Sequence, residues 1–399
     1  MRRFLTLLFL LLSLAAAGAA AQAEGIPTVE ITAPSLGDWQ SKADERPAQL
    51  TFTRDGQSFS APVTIKPQGT SSLKYDKKNF TIRFESKVDL GWGRHRKYVL
   101  KANFIDPTAS CNLVSAALAA EVYASSGLFG QTPHHGTVDG FPVWLIFNGE
   151  DVGLYTLNIP KCDWFLGMKE ENDGNLLFSG IDWTAATLFY DTAFTEEVDW
   201  ELEVGVDSDE SMARFARLQS FVASATVEDF REHAEEYLSL DACIDTYCFI
   251  CAAYGVDNFG KNLLMATWDG TVWYPIVYDL DSLWGIGWKG TEVCLQEGHE
   301  FVLSCGNLFD LVRQAFPGRV QARWKELRSG ILSEEHIRES FERFCAGIPA
   351  ELYERDAALW HADCDHIRTV SLMLDNMAKY LPEIDGIFET IAEEPEEAH

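Results

Sequence analysis

The sequence has 399 residues, a formal net charge of −29 and 47% apolar residues, including 12 tryptophans. This length and composition predict a folded protein with sizeable hydrophobic cores and argue against a disordered chain. The strong negative charge argues against nucleic acids and anionic membranes as partners; it is compatible with a basic protein partner, or with solubility alone.

The N-terminus has the features of a secretory signal over residues 1–23. Arg2 and Arg3 precede an apolar core at residues 4–14, and Ala21-Gln22-Ala23 forms a small-residue cleavage site. No second apolar run is long enough to span a membrane. We therefore expect a protein that is secreted or associated with the cell envelope.

Residues 24–160 are rich in predicted strands, separated by Gly, Asp and Pro turns. The predicted strands cover residues 28–32, 49–53, 62–66, 79–84 and 98–102. Apolar residues at helical spacing predict one helix over residues 111–125. An Asn148-Gly149 turn then joins residues 143–147 and 153–158 in a predicted hairpin.

Residues 161–392 show mainly helical patterns. The predicted helices cover residues 209–224, 227–239, 240–253, 308–316, 319–327, 334–344 and 370–380. Within this region lies one predicted hairpin, formed by residues 262–268 and 273–278 around an Asp269-Gly270 turn. Residues 393–399 form an acidic tail.

The chain has nine cysteines, and an odd number excludes complete intramolecular pairing. Cys248 and Cys251 form a C-x-x-C pair, but its apolar surroundings favour a buried helix over a metal site. Cys294 and Cys305 bracket a loop and are the one pair that we consider for a disulfide.

Acidic residues lie at both ends of the hairpin in the helical region. Asp257 and Asn262 precede the hairpin with four residues between them, and Asp279 follows it. This order is typical of a kinase catalytic centre, although the Asp-x-x-x-x-Asn spacing alone occurs by chance. With the order of strands and helices, it predicts an α+β, atypical protein-kinase-like two-lobed fold. The expected fold has a β-rich N-lobe and a helical C-lobe that carries a catalytic β-hairpin.

Five stretches together resemble the CotH-type (spore coat) atypical protein kinases. They are Lys66-Pro67-Gln68-Gly69-Thr70-Ser71-Ser72 with residues 77–80, then residues 98–106, 147–155, 257–262 and 279–285. Their order and spacing make the resemblance more specific than a single motif. The chain departs from the family pattern at Gln68 and Cys111, where Arg is common, and at Asn158, where Glu is usual.

The resemblance implies a nucleotide site in the β-rich region. The turn formed by Gly69, Thr70, Ser71 and Ser72 would surround phosphate oxygens, although an ordinary hairpin loop is the alternative. Lys78 is the first candidate for the lysine that contacts the α- and β-phosphates, and Lys101 is its rival. Glu121 in the first helix would pair with that lysine or would be a surface residue.

The resemblance also implies roles for the acidic residues. Asp257 would orient or deprotonate the acceptor hydroxyl, while Asn262 and Asp279 would bind Mg²⁺ or Mn²⁺. Asp281 would be a second metal ligand or the main one. A carboxylate that merely caps a helix is the alternative for the acidic positions.

The reaction implied by the resemblance is transfer of the γ-phosphoryl group of ATP to Ser or Thr of a protein. A basic, Ser-rich protein of the spore coat or envelope is the expected substrate. The alternative is a catalytically silent, kinase-like protein that acts as a surface binding or scaffold protein. A metal-dependent hydrolase is a weaker third reading, because no His cluster or nucleophile motif accompanies the carboxylates. The oligomeric state stays open.

Overall fold

A computed structural model describes residues 25–34, 39, 41–69, 71–293, 299–360 and 369–391, with the side chain of Ser71 left out. The predicted signal segment, Thr70, Cys294 and the acidic tail lie outside this part of the chain. The signal, the tail and the Cys294–Cys305 pairing therefore stay predictions.

The N-terminal strands form a closed seven-stranded β-barrel in the order β1-β2-β3-β4-β5-β7-β6. The strands are β1 (Thr28–Thr32), β2 (Arg46–Arg54), β3 (Gln57–Gln68), β4 (Asn79–Asp89), β5 (Arg94–Lys101), β6 (Gly140–Phe147) and β7 (Glu150–Asn158). All neighbours are antiparallel except β1 and β6, which pair in parallel with Thr28 opposite Trp144.

The predicted two-lobed, protein-kinase-like fold with a β-rich N-lobe is wrong. The strands of that region close into a barrel, because β1 pairs with β2 on one side and with β6 on the other. This pairing joins residues that are more than a hundred positions apart in sequence, so local patterns do not reveal it. The mixture of helices and strands agrees with the α+β class.

Alternation of side chains along the strands fills the barrel. Every second residue of a strand points to the same face. Accordingly Val29 and Ile31 of β1, Ile65 of β3 and Leu100 of β5 belong to one buried cluster inside the barrel. The turn between β6 and β7 uses Asn148 at φ 48° and Gly149 at φ 85°. Both angles are the left-handed values that a two-residue hairpin turn requires.

The C-terminal half contains a second, four-stranded antiparallel sheet in the order β11-β10-β8-β9. Its strands are β8 (Leu176–Gly180), β9 (Trp200–Val204), β10 (Leu263–Thr267) and β11 (Tyr274–Val277). The predicted hairpin is therefore present as β10 and β11, and two further strands that the sequence did not reveal extend it.

Nine α-helices surround this sheet and the barrel in the described part of the chain. They are α1 (Cys111–Ser125), α2 (Asp209–Ser224), α3 (Val227–His233), α4 (Leu240–Ala253), α5 (Asn307–Ala315), α6 (Pro317–Arg328), α7 (Glu334–Ala346), α8 (Ala350–Trp360) and α9 (Val370–Thr390). Helix α4 packs on β11 and buries Cys248 and Cys251, as the apolar flanks predicted. Among the described helices, none combines the length and apolar character needed to cross a membrane.

Candidate functional site

A polar cavity of about 530 Å³ opens where the rim of the barrel meets the second sheet. Among the residues that line it, three of the five lysines and three residues with side-chain oxygens carry the argument below. These are Lys101, Lys161 and Lys261, together with Asp257, Asn262 and Asp279. The cavity thus gathers residues from β5, from the segment after β7 and from both ends of the β10–β11 hairpin.

The hairpin register brings Asn262 and Asp279 to the same end of the second sheet. Leu263 pairs with Val277, so the residues just before β10 and just after β11 emerge side by side. Both residues have left-handed backbone angles, with φ 65° at Asn262 and φ 55° at Asp279. Asn and Asp tolerate this conformation better than other non-glycine residues, which suits the residue types found here.

Gly180 at the end of β8 allows the turn before β10 to approach closely. A Cβ atom at this position would lie 2.1 Å from the carbonyl oxygen of Gly260, which no real side chain tolerates. The backbone N–H of Asn262 donates to the carbonyl of Gly180. The position of Asn262 therefore depends on a glycine in the neighbouring strand.

Asp257 lies on a short 3₁₀ turn, Val256–Phe259, that follows α4. The indole Nε1 of Trp183 donates a hydrogen bond of 3.2 Å to Asp257 Oδ1. The next residue, Asn258, is buried and donates from Nδ2 to the carbonyl of Tyr278 at 2.8 Å. The turn with Asp257 is thus tied to the segment that carries Asp279.

Lys101 and Asp279 form an ion pair across the cavity wall, with 2.8 Å between Nζ and Oδ1. Burial lowers the pKa of Lys101, but the charges of Asp279, Tyr278 and Asp281 and the hydrogen bond to Asp279 together outweigh burial, and the net shift is upward. Burial raises the pKa of Asp279, and the charge and hydrogen bond of Lys101 reverse that shift to a net lowering. Both groups are therefore charged at neutral pH.

The first turn of α1 holds the segment after Asp279. Asn112 Oδ1 accepts the backbone N–H of Leu280 at 3.0 Å, and Trp284 Nε1 donates to Ser115 Oγ at 2.9 Å. The helix start is itself fixed, because Asp106 Oδ2 accepts the N–H of Cys111 at 2.7 Å. A chain of buried hydrogen bonds thus connects α1 to the residues after Asp279.

Part of the predicted phosphate turn reaches the cavity. Gly69 and Ser72 line it, while Thr70 and the side chain of Ser71 lie outside the described residues. Gly69 has φ 105°, and a Cβ atom there would lie 1.8 Å from Ser72 Oγ. That hydroxyl donates to the carbonyl of Gln68 at 3.2 Å. The glycine is therefore required for the folding of this turn, whatever the turn binds.

Two other predicted nucleotide residues lie elsewhere. The amine of Lys78 donates to the carbonyls of Leu73 at 2.9 Å and of Tyr75, so it closes its own turn and is absent from the cavity wall. Glu121 Oε2 pairs with His336 Nε2 at 2.7 Å rather than with Lys78 or Lys101. Of the two alternatives for Glu121, its exposed position favours the surface residue over the partner of the phosphate lysine. The placement of the lysines favours Lys101 over Lys78.

Of the cavity residues that were not singled out from the sequence, Lys161, Lys261 and Trp183 lie next to the predicted site residues or carry positive charge. Lys161 Nζ donates to Ser179 Oγ at 2.9 Å and pairs with Glu203, a partly buried residue of β9. Lys261 lies directly before Asn262, and Trp183 holds Asp257. Lys261 could have been found from its place inside the Asp257–Asn262 motif. Trp183 and Lys161 carried no local signal, because long-range folding brings them to the site.

The oxygen atoms of this site suit a hard divalent cation. Asn262, Asp279 and Asp281 all line the cavity, and Mg²⁺ prefers carboxylate and amide oxygens of this kind. The positive charges of Lys101, Lys161 and Lys261 suit a polyanionic ligand such as a polyphosphate. The donor set thus fits a metal ion together with a phosphorylated ligand.

A comparison with protein-family models agrees with this chemistry, whereas a search of curated proteins found no relative. The matching family model, described as CotH kinase protein, covers residues 65–377 and hence most of the chain. The chain therefore belongs to the CotH kinase protein family.

Proposed function

We propose that this protein transfers the γ-phosphoryl group of ATP to Ser or Thr hydroxyls of a protein substrate. The observation that carries the proposal is the convergence of Asp257, Asn262 and Asp279 with Lys101 around one cavity. The family match supports a kinase-like activity, and the acidic chain favours a basic, Ser-rich substrate. Secretion to the envelope or spore surface is part of the same proposal and depends on the predicted signal at residues 1–23.

In the proposed reaction, the acceptor oxygen attacks the γ-phosphorus and the bond between this phosphorus and the β–γ bridging oxygen breaks. ADP leaves, and the hydroxyl proton passes to Asp257. The hydrogen bond from Trp183 fixes the carboxylate of Asp257 while leaving its second oxygen for the acceptor. Asp257 thereby acts on the nucleophile and not on the nucleotide.

The remaining residues of the site act on the phosphates. Asn262 and Asp279, with Asp281 beside them, would hold Mg²⁺ or Mn²⁺, which neutralises phosphate charge when bound. Lys101 holds the carboxylate of Asp279 in place and presents a permanent positive charge to the cavity. Lys161 and Lys261 add positive charge on the same wall.

Label transfer from γ-labelled ATP tests the proposal, with the protein itself and a Ser/Lys-rich protein as acceptors. We expect Mg²⁺-dependent labelling that Asp257→Asn reduces by a factor of about 100 or more, because a general base contributes 10²–10⁴ to such rates. Nucleotide affinity should change little, since Asp257 acts on the acceptor.

Asp182→Asn is the matched control, because it removes another carboxylate from the same cavity wall. The amide oxygen of the new side chain can still accept the N–H of Trp183, as Asp182 does at 2.9 Å. We expect labelling near the wild-type rate. Labelling by Asp257→Asn at the wild-type rate would refute the assignment. Nucleotide binding without labelling in the wild type would instead favour the silent scaffold protein.

A further inference from the structure

A second cluster of metal-binding side chains lies on the barrel, outside the cavity. His95 on β5 faces Cys162 and Asp163, which follow β7. His95 Nε2 lies 4.0 Å from Cys162 Sγ and 3.8 Å from Asp163 Oδ1, and one ligand atom from each residue falls within 4.8 Å of the others. Among the described residues, this is the one group of His, Cys and acidic side chains so arranged.

The geometry is close to that of a tetrahedral zinc site. Zinc binds sulfur at about 2.3 Å, and imidazole nitrogen and carboxylate oxygen at about 2.0–2.2 Å. At tetrahedral angles these bond lengths place the ligand atoms roughly 3.3–3.6 Å apart. The two separations from His95 Nε2 exceed this range by no more than about half an ångström, and all three ligand atoms lie within 4.8 Å of one another, so that side-chain rotation can bring them onto one ion.

The imidazole of His95 is held in an orientation that suits a metal ligand. Its ring stacks on Trp164 with centroids 4.7 Å apart and planes at 14°, and Tyr98 meets it edge-on. Its Nδ1 lies 3.1 Å from both the carbonyl oxygen and the amide nitrogen of Lys97. Metal-bound histidines usually donate their second ring N–H to such a carbonyl. A metal bound to Nε2 would leave the proton on Nδ1, which would then donate to the carbonyl of Lys97.

We propose that His95, Cys162 and Asp163 bind one Zn²⁺ ion, with a fourth position left for water or another ligand. The His95 side chain is 16% exposed and that of Asp163 39%, so an ion can enter from solvent. Thiolate, imidazole and carboxylate together are a donor set that zinc accepts and that Mg²⁺ does not favour.

The site would fasten two parts of the chain that contribute to the cavity. His95 lies on β5, the strand that ends at Lys101, and Cys162 directly follows Lys161. Bound zinc therefore fixes the strand of one cavity lysine relative to the segment of another. The zinc itself takes no part in phosphoryl transfer, so the inference stands independently of the proposed function.

The competing explanation is an ion pair without metal. Burial lowers the pKa of His95, but hydrogen bonds with Asp163 and Cys162 outweigh it and raise the pKa to about 9. In that case the protonated imidazole binds Asp163, and Cys162 is only a weak hydrogen-bond partner of the ring. The two explanations differ in whether Cys162 bonds to an added metal.

Cobalt substitution distinguishes them, because Co²⁺ bound to a thiolate has a charge-transfer absorption that other ligands lack. The metal-free, reduced full chain is titrated with Co²⁺, and Zn²⁺ affinity is then measured by competition with a chromogenic chelator. We expect one equivalent of Co²⁺ with the thiolate band and displacement of the band by Zn²⁺. Cys162→Ser and His95→Ala should remove the band and weaken Zn²⁺ binding by more than about 100-fold, which exceeds the effect of losing an outer-shell contact.

Two variants are matched controls. His134→Ala removes a histidine that pairs with Asp139 at 2.9 Å but has no cysteine partner in the described structure. Cys364→Ser tests residues 361–366, which contain two histidines and a cysteine and lie outside the described residues. Both should keep the band. A wild-type protein without a thiolate band would overturn the proposal even if no variant folds. Loss of the band in Cys364→Ser but not in Cys162→Ser would do the same.

Discussion

A buried ion pair joins helix α8 to the barrel, and its removal gives a large, pH-dependent loss of stability. Lys77 Nζ lies 2.8 Å and 3.0 Å from the two oxygens of Asp356 and 2.7 Å from the carbonyl of Leu154. The two side chains are only 1% and 2% exposed. In the wild type, Asp356 Oδ1 accepts the N–H of Leu154 at 2.7 Å. Asp356→Asn keeps an acceptor for this N–H but removes the carboxylate that pairs directly with the ammonium of Lys77.

Breaking a buried pair from one side costs about 3–5 kcal/mol, because the remaining charge stays desolvated. Unfolding entropy is about 2.1 cal/mol/K per residue, so this loss should lower Tm by roughly 4–6 °C in a chain of this length. Chemical denaturation at constant pH measures the free energy of unfolding directly. Glu354→Gln on the exposed face of α8 is the control, and it should change that free energy by less than about 0.5 kcal/mol.

The loss of stability caused by Asp356→Asn should be larger at pH 6 than at pH 9. Burial lowers the pKa of Lys77 in the folded wild type, and Asp356 opposes that shift. Without Asp356 the folded pKa falls further below the unfolded value of about 10.4. Between those two pKa values the unfolded variant binds more protons than the folded variant, so the free energy of unfolding of the variant rises with pH and approaches that of the wild type. A cost below about 1 kcal/mol at pH 6, or one equal at both pH values, would refute the argument about the buried charge.

Two further predictions concern the cavity. Lys101→Ala should weaken nucleotide binding and label transfer together, whereas Lys78→Ala should leave nucleotide binding unchanged, because Lys78 bonds its own turn. Equilibrium binding of a fluorescent ATP analogue measures both effects. The reverse result would make Lys78 the phosphate-binding lysine. MgATP at a concentration about one hundred times its Kd should raise the free energy of unfolding by about 2.7 kcal/mol, which a thermal-shift measurement detects. Asp279→Asn should abolish that rise. An equal shift in the variant would exclude Asp279 as a metal ligand.

Local patterns were sufficient for elements whose contacts are close in sequence. The predicted helix over residues 111–125 is confirmed, and the hairpin after Asn262 has its turn at the predicted position. Both depend on apolar periodicity or on a turn dipeptide, and neither needs a distant partner. Strands β8 and β9 were missed although Trp200–Val204 alternates apolar and acidic residues, because the long connection between the two strands gives no hairpin signal.

The candidate site was harder to predict at positions where the role of a residue depends on the direction of its side chain or on contacts that are distant in sequence. The residues of the Asp257–Asn262 and Asp279–Asp281 segments reach one cavity because a single hairpin connects them. The sequence could not show which lysine presents its amine to the cavity. Lys77, Lys78 and Lys101 all lie in or next to strands, and only the folded structure shows that they have different partners. Glu121 was placed in the correct helix, but its side chain pairs with His336 of α7, more than two hundred residues later.

The closed barrel limits where the chain can be truncated without losing part of the fold. The family match begins at residue 65, yet β1, β2 and most of β3 precede that point. A fragment that starts at residue 65 would lose β1, β2 and most of β3, leaving β6 with one unpaired edge and β4 paired on that side only with residues 65–68. Unpaired strand edges invite pairing with other chains. The family boundary is therefore not a folding boundary, and the preceding forty or so residues are part of the same structural unit.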